Sequence, residues 1–214
     1  MVNKIYKFSE INMQVLEEIA DFEQVRNREI FNDWFNFKFD INKYDEEFLL
    51  KLILANEYNI DFYLEFQLHF ISPLLNKVYF YGKNYREWFH PEISGIVNGK
   101  ILRGKSDFMV VSGDRKPKKP FFFLQEFKKQ KTASDPMSQL IAQMSVAIEI
   151  NKTNKMYGVY NIGRFWFFVV LEKITDNKYK YHESKAFDCL EFEHLKKIYT
   201  NLKAIKFHIQ NEKF

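Results

Sequence analysis

The strongest constraint on this chain is a pair of apolar runs that carry charges where a sheet should be apolar. Residues 104–111 (GKSDFMVV) and 121–128 (FFFLQEFK) are rich in β-branched and aromatic side chains, the composition of strands. Residues 112–120 (SGDRKPKKP) between them are polar and broken by Gly and Pro, as a hairpin connection would be. Side chains alternate faces along a strand, so Glu126 and Lys128 share one face with Leu124 and Phe122. Their Cα atoms then lie ~7 Å apart. If Asp107 stands opposite Glu126, Val111 falls opposite Phe122 and the polar residues remain as the loop. Two carboxylates and an ammonium meet at one end of an apolar face.

The rest of the chain can support such a sheet. Its 214 residues are enough for one sizeable core, and the expectation is a single domain. A hydrophobic content of 46% with 24 Phe and 12 Tyr is that of a folded protein. No apolar run approaches the ~20 residues of a membrane helix. The first eight residues, MVNKIYKF, lack the apolar stretch of a secretory signal. The single cysteine, Cys189, excludes an internal disulfide and a Cys-rich zinc site. A buried thiol in a reducing, cytoplasmic setting is expected. Net charge is +4, compatible with a polyanionic partner and with many proteins that have none. The basic residues cluster locally: Arg115, Lys116, Lys118 and Lys119 in the hairpin loop, with Lys128, Lys129 and Lys131 at the end of its second strand. Taken alone, such a loop is a solvated one.

Along the chain, Val15, Ile19, Phe22 and Ile30 recur near helical spacing and predict a helix over 9–35, with Ser9 as its cap. Residues 34–39 form an aromatic link, and a second helix runs from Asp45 to about Tyr58. A third begins at Asp61 as N-cap and is apolar nearly all round, hence buried, until Pro73 kinks or ends it. Glu65 lies within it. A carboxylate in such a setting needs a partner, a cation or a raised pKa, unless it occupies a wet stripe beside Gln67 or His69. Residues 77–81 and 93–97 read as extended, and Asn98-Gly99 is a hairpin signal. Asp135-Pro136 opens a helix to about Asn151, with Gln139 and Gln143 on one face. Residues 155–160 and 165–171 form a strand pair around a turn containing Arg164, with Trp166 in the core. Residues 179–182 add an edge strand. From Asp188 the chain is helical, with Leu195, Ile198, Leu202, Ile205 and Ile209 in one stripe that packs on the core or docks a partner. The order is α/β, or α+β, in character.

Together, Glu65 on a helix, Asp107 on one strand and Glu126-Phe127-Lys128 on the next form a pattern that resembles the PD-(D/E)XK nuclease superfamily. The match covers residues 61–172 and is nearest the bacterial branches related to restriction-enzyme nuclease domains. The resemblance implies a restriction-endonuclease-like αβββαβ core, a mixed sheet flanked by helices. Residues 1–60 would then be a helical extension and residues 173–214 a C-terminal strand and helix. Ser106 stands where the superfamily's Pro would be. The implied function is metal-dependent hydrolysis of phosphodiesters in nucleic acid, with DNA as the expected substrate and no membrane. A homodimer or a separate protein partner would supply whatever else is needed. The alternative is a catalytically inactive nucleic-acid-binding or regulatory protein of the same fold.

By the same resemblance, Asp107, Glu126 and the Phe127 backbone carbonyl would hold Mg²⁺ or Mn²⁺, with Glu65 as an outer ligand. Hard dications favour such oxygen donors. Lys128 would orient or help deprotonate the attacking water, its pKa lowered if partly desolvated. Gln139 would position substrate or water, with Gln143 supporting it. The Phe127 side chain would belong to the core. Arg115, Lys116, Lys118, Lys119, Lys129 and Lys131 would contact phosphates beside the site. Taken singly, each of these has a plainer explanation: a strand-edge salt bridge, or a solvated helix face.

Overall fold

The computed structural model describes residues 4–59, 62–128 and 135–211. In chain order its strands are β1 (Ile5–Lys7), β2 (Asp21–Gln24), β3 (Arg86–Phe89), β4 (Glu92–Val97), β5 (Lys100–Lys105), β6 (Phe108–Ser112), β7 (Lys118–Lys128), β8 (Lys155–Ile162), β9 (Phe165–Thr175), β10 (Lys178–Glu183) and β11 (Phe187–Asp188). The helices are α1 (Met13–Ile19), α2 (Asn32–Phe35), α3 (Lys43–Asn56), α4 (Tyr63–Phe66), α5 (Ser72–Val78), α6 (Pro136–Asn151) and α7 (Phe192–Gln210).

One long hairpin organises the fold. Arg86 faces Val111, Glu92 faces Lys105 and Val97 faces Lys100, a single register from end to end. Its turn is Asn98-Gly99, with φ of 47° and 73°, the left-handed pair of a type I′ turn. Midway it bends. The His90 N–H donates to the Asp107 carbonyl (3.0 Å) and the Ser106 N–H to the Pro91 carbonyl (3.1 Å). On one side of the bend, β3 and β6 join a mixed sheet ordered β2-β10-β9-β8-β7-β6-β3, with β11 also against β9. On the other, β4 and β5 form a small sheet with β1.

Helix α6 lies between the two sheets and links β7 to its parallel neighbour β8. Gly95 of the small sheet meets Val146 and Ile150, and Gly158 of the large sheet meets Leu140 and Met144. Hence α6 is buried from Ser138 to Ile148, so Gln139 and Gln143 are not on a solvated face. The opposite side of the large sheet is covered by α7, whose Leu195, Ile198, Leu202, Ile205 and Ile209 are all buried in one cluster with α5 and the inner residues of α3. Core packing therefore accounts for that stripe. Cys189 is buried there too, its thiol pushed up by burial.

Several expectations are corrected. Residues 9–35 are not one helix: Asn12 Oδ1 caps α1 through the Val15 N–H (3.0 Å), and the chain turns extended at Ala20. It continues as β2, which lies parallel to β10, where Phe22 stacks on Tyr179 at 4.9 Å. Burial of Phe22 in that sheet outweighs its helical spacing, and β10 is consequently not an edge strand. The extension expected over residues 1–60 is not purely helical: among its described residues, β1 and β2 join the two sheets, and the Trp34 indole donates to the Asn201 carbonyl (2.8 Å). Residues 77–78 are helical and Tyr79 is left-handed. In the hairpin, Val111 faces Phe121 rather than Phe122, because the register shifts after Val110. Asp61 lies outside the described residues.

Pro73 neither ends nor sharply stops its helix. Between α4 and α5 the backbone widens into a π-helical turn, Gln67–Ile71. Pro73 has no N–H for the His69 carbonyl four residues back, and the Asn56 side-chain amide serves that carbonyl instead (3.1 Å) while also bonding the Leu52 carbonyl (2.9 Å). Among the described residues no helix is long and apolar enough to cross a membrane. Asn56→Ala should lower the unfolding free energy by about 1–2 kcal/mol, measured by chemical denaturation. An unchanged midpoint would show that the π turn does not need this amide.

Candidate functional site

The bend places Asp107 beside β7. Continued past Phe108, the β6–β7 register would set Asp107 opposite Glu126 and Ser106 opposite Phe127. At the bend, Asp107 Oδ2 accepts a hydrogen bond from the Phe127 N–H at 2.8 Å. Ser106 is fully buried; its hydroxyl lies 3.0 Å from the Phe108 carbonyl and 3.4 Å from that of Gln125. The position that resembles the superfamily's Pro thus uses both its N–H and its hydroxyl to hold the bend.

Strand parity then sorts β7. Phe123 and Phe127 are buried on the α7 side, as expected for the Phe127 ring, while Glu126 turns toward α6. Glu126 is 3% exposed, and each of its oxygens has a partner: Lys128 Nζ at 2.8 Å and Gln143 Nε2 at 3.0 Å. Burial, and secondly the negative charge of Asp107, push its carboxyl up to about 7, against the pull of Lys128 and Gln143. Burial depresses Lys128, but the charge and hydrogen bond of Glu126 and the charge of Asp107 outweigh it, leaving the ammonium above its ordinary range. The expected lowering of the Lys128 pKa is therefore reversed. Lys128 is a cationic donor near neutrality, not a free base.

The two glutamines exchange emphasis. Gln143, expected to support, is the one that touches Glu126. Gln139 donates to the Phe8 carbonyl at 2.7 Å. The amide oxygens of both are buried without a partner among the described residues. Glu65 is not brought to the cluster. Its side chain is 52% exposed and pairs with His69 one turn on, at 3.1 Å. From the same helix it is Gln67, buried at the π turn, that reaches inward, its amide nitrogen 3.3 Å from His90 Nε2. His90 Nδ1 is in turn 3.5 Å from Asp107 Oδ1. His90 holds φ at +51°, an uncommon conformation for a residue other than glycine.

Asp107, Glu126, Lys128 and Gln139 line a cleft of ≈ 660 Å³ together with Lys7, Glu92, Arg103 and Lys105. The cations at its mouth come from the small sheet, not from the basic loop. Arg115, Lys116, Lys118 and Lys119 are at the other end of β7, on the order of 25 Å along the strand from Glu126, so the expectation that they flank the site is corrected. Lys129 and Lys131 lie outside the described residues. Arg164 pairs with Asp188, and Trp166 is fully buried. A second cleft of ≈ 650 Å³, between Tyr85, Phe121, Phe122 and Ile209, is separate from these carboxylates.

Among the described residues, no three His, Cys, Asp or Glu side chains are gathered as a metal cluster. The donors on offer are two carboxylates with backbone and water. That set suits Mg²⁺, which binds through one or two carboxylates and keeps several waters. Burial first and the Asp107 charge second disfavour the charged form of Glu126, and a cation beside both carboxylates would favour it. The residues therefore fit such an ion. Compared with known proteins, the chain matches no protein-family model and no curated protein.

The sign of the pH effect follows. Glu126 binds its proton more tightly in the folded state, so its stabilising share is complete below about pH 4.5 and is lost as pH rises through about 7. Without metal, Glu126→Gln should gain on the wild type across that window, by on the order of 1–3 kcal/mol. Urea denaturation at a series of pH values measures this. A pH-independent difference would mean that Glu126 is not charged against its surroundings.

Proposed function

We propose that the chain is a metal-dependent nuclease that hydrolyses phosphodiesters, with DNA as substrate. One observation carries this reading: a buried Glu126, raised by burial and then by its neighbour Asp107 and bonded by Lys128, lines a cleft that Lys7, Arg103 and Lys105 also line. The arrangement agrees with the PD-(D/E)XK resemblance and with the mixed α/β sheet, flanked by helices, that carries it.

Asp107 and Glu126 would hold Mg²⁺ or Mn²⁺, which when bound neutralises developing phosphoryl charge and acidifies a water. The chain's own contributions are separable. Phe127 N–H fixes the Asp107 carboxylate, and His90 approaches its other oxygen. Gln143 fixes the far oxygen of Glu126 and leaves the near one to Lys128. Lys128, held as an ammonium, donates a hydrogen bond to an attacking water or to a phosphoryl oxygen and offsets its charge. Gln139 is the polar group on the α6 wall of the cleft.

Purified protein should cut DNA when Mg²⁺ or Mn²⁺ is added and not in EDTA. Glu126→Ala, Asp107→Ala and Lys128→Ala should each lower the rate at least ~100-fold with the fold retained, while Glu65→Ala should stay within a few-fold of wild type. Undiminished cleavage in the Glu126 and Lys128 variants would sink this site. Nucleic-acid binding without turnover under any metal would favour the inactive binding protein instead. Metal affinity should also rise with pH through about 7 as Glu126 loses its proton, a trend that calorimetry reads and that Glu126→Gln should abolish.

A further inference from the structure

The small sheet has an outward face with an order of its own. Tyr6, Leu102, Ile93 and Val97 point into the core that it shares with α6. Their neighbours therefore point out, and the registers align them in rows. Ile5, Ile101 and Ile96 stand side by side across β1, β5 and β4; Lys7, Arg103 and Ser94 form the next row. Lys105 comes last, opposite Glu92 and immediately before the bend that carries Asp107. Ile5 and Ile96 are 47% and 57% exposed, unusual for residues of this kind on a sheet otherwise closed by a helix. Lys7 pairs with the exposed Glu10. Among the described residues, Arg103 and Lys105 form no ion pair.

We propose that this outward face is the surface on which double-stranded nucleic acid lies as its backbone enters the cleft. Arg103 and Lys105 lead to the carboxylates, with Glu92 the one acid opposite them on this face, so a polyanion with one phosphate at Asp107 and Glu126 places its next phosphates over Arg103 and Lys105. Unpaired cations on a fixed strand give up little to bind phosphate, and each such pairing releases counterions. The isoleucine row supplies apolar contact farther out. Single-strand binders present aromatic rings for bases to stack on, and none of the residues in these rows is aromatic. The face is therefore one for a paired backbone, which positions without reading sequence. Its anchoring is rigid, because the Asn98 and Lys100 side chains tie the hairpin turn to the Ile19 carbonyl at 3.0 and 3.1 Å.

This inference rests on the nuclease reading for which phosphate is cut, so binding is measured apart from cleavage. Fluorescence anisotropy in EDTA, over a series of salt concentrations, compares a DNA duplex with a single strand of the same sequence. The wild type should prefer the duplex. Arg103→Gln with Lys105→Gln should weaken duplex binding at least ~10-fold and reduce the salt slope by about 2, near 0.9 for each phosphate no longer neutralised. Lys116→Gln, Lys118→Gln and Lys119→Gln together should leave the slope as in wild type. Thermal unfolding verifies that these surface variants are folded. An unchanged slope in the Arg103–Lys105 variant, a loss confined to the loop variant, preference for the single strand, or no binding by wild type would each overturn the proposal. Binding that depends on Arg103 and Lys105, without cleavage under any metal, would uphold this surface and reject the catalytic reading alone.

Discussion

The bend at His90-Pro91 and Ser106-Asp107 is the constraint on which the rest of the structure depends. A straight hairpin in this register would extend the large sheet by two long strands and leave their faces uncovered. Bent, it folds its outer half back over α6, and that helix acquires apolar neighbours on two sides. Two cross-strand hydrogen bonds and the buried Ser106 hydroxyl hold the corner. A proline at 106 would lack the N–H that bonds the Pro91 carbonyl, so serine here is a structural choice. The chemistry follows from the same corner, because a carboxylate leaving a ladder at that point can bond the backbone of the next strand.

A buried ionisable cluster is expensive unless each charge has partners. Here the partners come from three elements: Lys128 from the same strand, Gln143 from α6, and Phe127 N–H for Asp107. They do not balance the cluster. Burial and the Asp107 charge still raise Glu126, and among the described residues the amide oxygens of Gln139 and Gln143 have no donor. Apolar residues of similar volume are often at least as stable in such a position, so the cluster is weak evidence of a fold-stabilising salt bridge and is consistent with the proposed cation site.

What the sequence made legible was local and periodic. Strand parity put Glu126 and Lys128 on one face and Phe127 on the other. Asp135-Pro136 began α6, and Asn98-Gly99 closed a hairpin. That turn constrains more than its own loop. Two residues at 98–99 pair 97 with 100, and the same register pairs His90 with Asp107. Long-range facts were hidden. Phe22 has helical spacing from Val15 and Ile19, and only the distant Tyr179 makes it a strand residue. Glu65 admits two readings, an acid in an apolar helix or one on a wet stripe beside Gln67 or His69; it is at the surface beside His69, whereas Gln67 is buried.

The basic residues show why density of charge along a chain is a poor guide to where charge acts. Arg115, Lys116, Lys118 and Lys119 crowd a short loop, yet strand length carries them to the far end of the sheet from the carboxylates. Lys7 and Arg103 are almost a hundred positions apart in sequence and inconspicuous there, but parallel pairing of β1 with β5 sets them side by side. Lys105, two residues on, shares their face for the same reason that Lys128 shares that of Glu126. A polyanion responds to spacing in three dimensions and to whether a cation is already neutralised. By spacing, Arg103 and Lys105 rather than the lysine-rich loop stand beside Asp107, while Lys7 is already paired with Glu10.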